Sequence, residues 1–168
     1  SRIEPWGTGT DWMPEAYAQY YAKYPAVYAA VKLRAESVLA APLKAYQRLA
    51  DGEREELSER HPLAILLRKV NKWWTIGDLL KATSIYLDLW GSVFWVLEKA
   101  GPTSAPTEIW VPRPDKMRII PHQTKYIDGY WYQAANGTRI PYRVDEVIWM
   151  RQINHLDEYA GMSPIAPA

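Results

Sequence analysis

Thr75-Ile76-Gly77-Asp78-Leu79-Leu80-Lys81-Ala82-Thr83-Ser84-Ile85-Tyr86-Leu87-Asp88-Leu89-Trp90-Gly91, running directly into Ser92-Val93-Phe94-Trp95-Val96-Leu97-Glu98, is the stretch that decides the fold. Thr75 precedes an apolar run and Asp78 lies three residues on, the spacing at which two side chains cap a helix start reciprocally. Ile76, Leu79, Leu80, Thr83, Leu87 and Trp90 fall on one helical face, which makes Ile76, Leu80, Leu87 and Trp90 candidate core residues. Ile85, Tyr86 and Leu89 are apolar as well, leaving a narrow polar stripe of Asp78, Lys81 and Asp88. A helix this apolar is covered on most sides, by its own domain or by something outside it. Gly91 ends the pattern, and from Ser92 to Glu98 the sequence is apolar on both faces, as in the inner strand of a sheet.

Upstream the signals are helical. Tyrosines at 17, 20, 21 and 24 recur at spacings of three and four between Pro14 and Tyr24, one aromatic stripe on a short helix. Tyr24-Pro25 breaks it, since the residue before proline is pushed out of the helical region, and Pro25 suits the first turn of a second helix. Val27, Val31, Ala35 and Val38 line one face of that helix, with Lys32 and Glu36 at the favourable four-residue spacing opposite. Pro42 ends it. Leu43 to Leu49 alternates as a strand, Ala50-Asp51-Gly52 is turn chemistry, and Glu53 to Arg60 reads as a charged, solvated loop or helical turn. His61-Pro62 opens a short apolar helix from Leu63 to Leu67.

Downstream the signals are strand-like. Glu108 to Val111 and Met117 to Ile120 are short strands separated by Pro112-Arg113-Pro114-Asp115. Tyr130 to Ala134 and Thr138 to Tyr142 flank Asn136-Gly137, a hairpin signal that expects positive φ at both turn residues. Ile148 to Arg151 adds a strand, and Asn154 to Ser163 reads as a loop. Helices first and a small, mainly antiparallel sheet second define an α+β class, with a flexible arm at 1–13 and one domain over 14–168.

Composition narrows function by exclusion. The chain has 168 residues, with 20 Lys and Arg against 19 Asp and Glu, so its net charge of +1 lacks the broad basic signature of a nucleic-acid coat. Residues 32–72 hold nine basic and six acidic residues, while 73–168 hold nine and ten, and neither predicts strong salt-sensitive DNA binding. There are no cysteines, so disulfide scaffolds, thiol nucleophiles and iron–sulfur ligation are out. Leu79 to Leu97 is the most hydrophobic stretch, but Lys81, Asp88 and Gly91 interrupt it and it falls short of a membrane span. Ser1 to Asp11 lacks the apolar region of a secretory signal, so the sequence reads as a soluble intracellular protein or part of one. Nine Trp and twelve Tyr against one Phe is an unusual split, and such side chains concentrate where a surface meets a partner.

An enzyme reading has little to stand on, and no cofactor or metal is expected. No His-Glu-x-x-His pair and no Gly-rich loop ending in Gly-Lys-Ser/Thr is present, and Gly7-Thr8-Gly9 does not follow a strand. His155, Asp157 and Glu158 lie in one loop, where solvated polar residues are the ordinary occupants; His61 and His122 adjoin prolines at element ends. Tyr126, Tyr130, Trp131, Tyr132 and Tyr142 form an aromatic cluster that suits cross-strand pairing or packing on a neighbouring subunit. Tyr126, Tyr130, Trp131 and Tyr132 are the candidate partner contacts.

The order of segments resembles the N-terminal portion of HK97-type phage portal proteins. Tyr24-Pro25-Ala26-Val27-Tyr28-Ala29-Ala30-Val31, then Ala35-Glu36-Ser37-Val38 and Ala41-Pro42-Leu43, resemble that family's helix running into a Pro-Leu strand. His61-Pro62-Leu63 with Leu66-Leu67, Asn71 with Trp74-Thr75, Leu89-Trp90-Gly91-Ser92-Val93 and Ile109-Trp110-Val111-Pro112 with Pro114-Asp115 follow in the family's order. Val144-Asp145-Glu146-Val147-Ile148 and Gly161-Met162-Ser163-Pro164-Ile165 complete the series. Lys72 and Ser92 depart from residues the family often has, proline and asparagine. The resemblance implies the N-terminal part of the portal wing, with stem, clip and crown absent. It further implies a homo-oligomeric ring, typically a dodecamer, at the procapsid or virion vertex, made in the bacterial host cytoplasm. Its partners would be terminase, capsid and head-completion proteins, with double-stranded DNA passing through the channel and no membrane involved. The family assigns ATP hydrolysis to the terminase, so no enzymatic activity is expected.

Two other readings compete. A carbohydrate- or peptide-binding module would gather the Trp and Tyr side chains into one cleft. A small hydrolase would bring His155 together with Asp157 or Glu158 in a pocket.

Overall fold

The computed structural model describes residues 16–41 and 43–165. The expected arm at 1–13, residues Pro14 and Glu15, and Pro42 lie outside the described residues. In chain order the elements are α1 (Ala16–Lys23), α2 (Pro25–Val38), β1 (Tyr46–Arg48), β2 (Arg54–Glu56), α3 (Pro62–Arg68), α4 (Ile76–Trp90), β3 (Ser92–Lys99), β4 (Pro106–Trp110), β5 (Met117–His122), β6 (Tyr126–Gln133), β7 (Arg139–Arg143) and β8 (Val147–Arg151). The class is α+β, but the single small sheet of the sequence reading is three antiparallel ones: β1-β2, β4-β3-β8 and β5-β6-β7. Among the described residues no helix is long and apolar enough to cross a membrane.

Local chemistry sets the helix ends. Pro25 occupies the first turn of α2, and Lys32 pairs with Glu36 at 3.8 Å. His61 caps α3, its Nδ1 accepting the Leu63 N–H at 3.2 Å, so this histidine is a structural cap. At the head of α4 the capping box is complete: Asp78 accepts the Thr75 N–H at 2.9 Å, and the Thr75 hydroxyl accepts the Asp78 N–H. Gly91 closes α4 in the left-handed region at φ 66°.

β3 is the centre of the fold because both of its faces are covered. Val93, Trp95 and Leu97 point to one side and join Leu66 of α3, Val70, Leu79 of α4 and Ile109 of β4 in one apolar cluster. Trp95 also donates its indole N–H to the Thr83 hydroxyl on α4 at 2.8 Å. Phe94 and Val96 point to the other side, where Met117, Ile119 and Tyr130 of the sheet β5-β6-β7 meet them together with Leu89, Trp90 and Val147. The alternation of side chains along a strand thus divides the core into two clusters on opposite sides of one backbone.

Two hairpins share one turn. In Leu49–Glu53, Leu49 accepts from the Gly52 N–H at 3.0 Å, and Asp51 accepts the Glu53 N–H at 3.0 Å. In Ala134–Thr138, Ala134 accepts from Gly137 at 2.9 Å and Asn136 accepts the Thr138 N–H at 3.0 Å. Gly52 and Gly137 take φ of 91° and 82°, the left-handed third position of a three-residue loop. Two expectations are corrected by this. Asn136 does not take positive φ, because the three-residue loop needs it only at the glycine. The charged stretch after Gly52 is not a loop throughout: Arg54–Glu56 is β2, returning along a β1 limited to Tyr46–Arg48.

The loop after β8 locks the assembly. A Cβ on Gly161 would lie 1.7 Å from the Gly91 carbonyl oxygen, so the two backbones cross where no side chain fits. Around the crossing the Gln152 N–H reaches the Gly91 carbonyl at 2.8 Å, the Gly161 N–H reaches the Ser92 hydroxyl at 2.9 Å, and the Ser163 hydroxyl donates to the Asp88 carbonyl at 2.9 Å. A second tie is Asn71, whose amide donates to the Ile109 carbonyl at 2.8 Å and whose oxygen accepts the Trp73 and Trp74 N–H groups at 2.8 and 2.9 Å. A third is the 3-10 turn Val144–Glu146 between β7 and β8, held by Lys99 on the Asp145 carbonyl at 2.7 Å.

Two outcomes follow. Gly161→Ala should cost about 3 kcal/mol or more, because backbone rather than a movable side chain occupies the space, and chemical denaturation of purified protein reads this directly. Trp90, which meets Tyr86 edge-on at 5.3 Å and is 2 % exposed, should cost about 3–5 kcal/mol as Trp90→Ala. Its indole N–H has no partner among the described residues, so Trp90→Phe should lose less than the alanine change.

Candidate interaction surface

The β6 aromatics divide according to strand alternation. Tyr130 faces inward, 3 % exposed and edge-on to Phe94 at 6.0 Å, so it is a core residue and no partner can reach it; that corrects its place among the candidate contacts. Tyr132 shares the inward face and is half-buried, lining a groove of about 340 Å³ with Trp74, Trp110, Ile140 and Tyr142. Trp131 points the other way. Two guanidinium groups approach its half-buried ring, Arg139 at 4.5 Å and Arg118 at 5.8 Å, so the indole keeps company with cations.

Tyr126 is engaged within the chain. It is the one described non-glycine residue with positive φ, 69°, a conformation unfavourable for a bulky side chain. Packing and hydrogen bonds hold it there. Its ring stacks on Tyr159 at 4.9 Å, its hydroxyl donates to the Glu158 carbonyl, and Arg151 donates to that hydroxyl at 2.9 Å. The Tyr159 hydroxyl returns to the Tyr126 carbonyl at 3.3 Å. The loop containing His155, Asp157 and Glu158 is therefore spent on structure: Asp157 accepts the Tyr159 N–H at 2.7 Å, and His155 and Glu158 are exposed. His122 likewise accepts backbone N–H groups, from Thr124 at 3.1 Å and Lys125 at 3.0 Å. Among the described residues no group of acidic and histidine side chains is placed to hold a metal.

Of the α4 candidates, Trp90 is buried while Ile76, Leu80 and Leu87 are half-buried. Leu79, on the expected face, and Leu89, off it, are buried together with Trp90. Asp88 departs furthest from its expected place on a solvated stripe. Its side chain is 3 % exposed against Arg34 of α2 at 3.1 Å, off hydrogen-bond alignment. The sequence offered one signal, an acid on a helix with almost no polar face, and that signal fits exposure and burial equally.

Other apolar surface lies in the open at Tyr20 and Tyr24. With Tyr17, which is half-buried against the core, they make a ladder with ring centroids 6.3 and 5.8 Å apart, and Tyr20, Tyr24 and Val27 line a groove of about 390 Å³ beside Ile165. Trp73 and Ile153 are 69 % and 92 % exposed.

Burial pushes the Asp88 carboxyl above its ordinary value, with the Arg34 charge pulling the other way. A folded pKa above the unfolded one gives stability that is fully present below the unfolded value and is lost as pH rises through the folded value. Arg34 is 63 % exposed, so neutralising Asp88 strands no buried cation. Asp88→Asn should therefore raise Tm at about pH 7 and leave it nearly unchanged at about pH 3. A lower Tm for the variant at neutral pH would show that the ion pair outweighs the burial cost.

Residues 25–168 match the family described as phage portal protein. A search of curated proteins by sequence gives no match. Among solved structures the chain is similar to one in the neck of an empty gene transfer agent (GTA) particle computed with C6 symmetry, at 24 % identity and a TM-score of 0.75, covering 91 % of this chain and 41 % of that one. It is similar to a chain of the native gene transfer agent virion, at 23 % identity and 0.73, covering 91 % and 40 %. A third similar chain comes from the neck of the native particle computed with C12 symmetry, at 23 % identity and 0.74, covering 92 % and 40 %. The chain thus spans about two fifths of the length of the solved chains it matches.

Proposed function

Because this chain belongs to the phage portal protein family, we propose that it is part of the wing of a portal ring, a structural component at the single vertex through which DNA is packaged and ejected. The observation that carries the reading is the family match over 25–168, joined by a fold that follows neck chains of particles computed with C6 and C12 symmetry. The domain comprises residues 14–168 in this reading, and its work is positional: one patch meets a different patch on the next copy, and rotation closes the ring. Terminase and head-completion proteins dock on the finished ring, and the near-neutral net charge suits a wing removed from the DNA path.

The outward-facing aromatic side chains, exposed at Tyr20, Tyr24 and Trp73 and half-buried at Trp131 and Tyr17, support the same reading. Trp131 with its two guanidiniums, the tyrosine ladder of α1, and Trp73 are the amphipathic and cationic side chains that protein interfaces favour. Trp131 in particular is a subunit or partner contact. Negative-stain electron microscopy of the full-length protein should show closed rings with a central channel; full-length protein that stays monomeric at micromolar concentration would refute the proposal.

A further inference from the structure

The hairpin β1-β2 is sparsely covered: at its base Lys44, Ala45, Glu56 and Leu57 line a groove with Leu67 and Arg68 of α3. All six of its strand residues are exposed, and a two-stranded ribbon by itself is marginal in water. The register pairs Tyr46 with Glu56, Gln47 with Glu55 and Arg48 with Arg54. Hydrogen bonds close Leu49 on Glu53 and Leu57 on Ala45, so pairs spaced by two from these, including Gln47 with Glu55, are the hydrogen-bonded ones. Tyr46, Arg48, Arg54 and Glu56 accordingly share one face, in the closer type of cross-strand pair, with N–H and C=O groups turned outward along both edges.

The charges separate by face. On the first face Lys44 takes Glu56 at 2.9 Å, which leaves Arg48 directly opposite Arg54. Neither arginine has an ion pair among the described residues, and like charges set opposite one another weaken a hairpin. On the second face stand Glu53 and Glu55 beside Gln47, which donates to Glu55 at 2.9 Å, and Asp51 sits at the tip. Guarding a free strand edge requires charge of either sign in any arrangement. Segregating basic from acidic across one ribbon serves a different geometry, a repeat in which each copy offers one face to the neighbour on its left and the opposite face to the neighbour on its right. A head-to-tail ring is that repeat, because its two contacting patches need to complement each other and not themselves.

We propose that the β1-β2 hairpin is an intersubunit contact, the Arg48–Arg54 face of one copy seated on the Glu53–Glu55 face of a second copy of this chain; the inference rests on the ring reading above. The second copy supplies the carboxylates the paired arginines lack and further cover for the ribbon, and exclusion of water from the stacked faces strengthens the ion pairs relative to exposed ones.

Charge exchange in the ring-forming protein tests this, with rings counted by native mass spectrometry and electron microscopy at moderate salt. Arg48→Glu with Arg54→Glu should cut the ring population at least tenfold, and so should Glu53→Arg with Glu55→Arg. Mixing the two double variants should restore rings of alternating subunits, since each acidic face then meets a basic one, and the restoration itself shows that both variants fold. Combining all four changes in one chain should also restore assembly. Rings undiminished in both double variants would overturn the hairpin contact while leaving the ring reading intact. Failure of the mixture and of the fourfold variant to assemble would overturn it too, as would intact rings that lose only duplex-DNA binding, which would assign the arginines to phosphate. Absence of rings in the unaltered protein would remove the ring reading and this contact with it.

Discussion

The crossing of Gly91 and Gly161 is the constraint on which the rest of the structure depends. At this point the end of α4, the start of β3 and the loop after β8 come within backbone contact. The missing Cβ atoms let the carbonyl of Gly91 serve the Gln152 N–H and let the Ser92 hydroxyl serve Gly161. These bonds place β8 beside β3 in its register from Ser92–Arg151 to Val96–Val147. That register puts Phe94 over Trp149, stacked at 6.2 Å, and so shapes the surface on which the sheet β5-β6-β7 settles. Each step is short-range; together they carry a turn requirement at one glycine into the packing of half the chain.

Much of this was legible in the residues. The capping box of Thr75 and Asp78, the stop at Gly91 and the doubly apolar Ser92 to Glu98 follow from local chemistry that tertiary context does not override. The return strand β2 was missed although the strand before it was read and Ala50-Asp51-Gly52 carries the same turn as Ala135-Asn136-Gly137. Arg54-Glu55-Glu56 has no apolar residue, and alternation is the signal by which a strand is read. Tyr130 and Trp131 differ in fate because strand parity decides which side meets the core, and sequence alone does not say which parity faces inward. Asp88 was misplaced for a related reason: helical periodicity locates faces relative to one another, whereas the neighbours that bury them come from α2, far away in sequence. The order of short motifs from Tyr24 to Ile165 was the strongest guide to the family. The structure supplies physical reasons for several of those residues, including the Asn71 bridge, the Lys99 anchor on Asp145 and the glycine at 161.

A body with two apolar clusters back to back, and with aromatic and cationic side chains left in the open, fits a part made to be surrounded by other parts. His61 and His122 cap turns, the loop carboxylate Asp157 closes a turn, and the Arg139 and Arg118 guanidiniums lie against an indole. Such usage directs polar chemistry into fixing shape, which is the property a repeated building unit needs.

The order in which the lock closes has a consequence for biosynthesis. A ribosome releases α4 and β3 about fifty residues before β8 and some sixty before Gly161, so the central strand spends that interval with one flank open. Helical hairpins of nearby residues form early, but a pairing of such sequence separation has to wait for its second half. Until then the nascent polypeptide leaves Phe94 and Val96 without the Met117, Ile119, Tyr130 and Val147 side chains that later cover them. This is the period in which a chaperone would be most useful, and in which slowing translation after Glu98 would do the most harm.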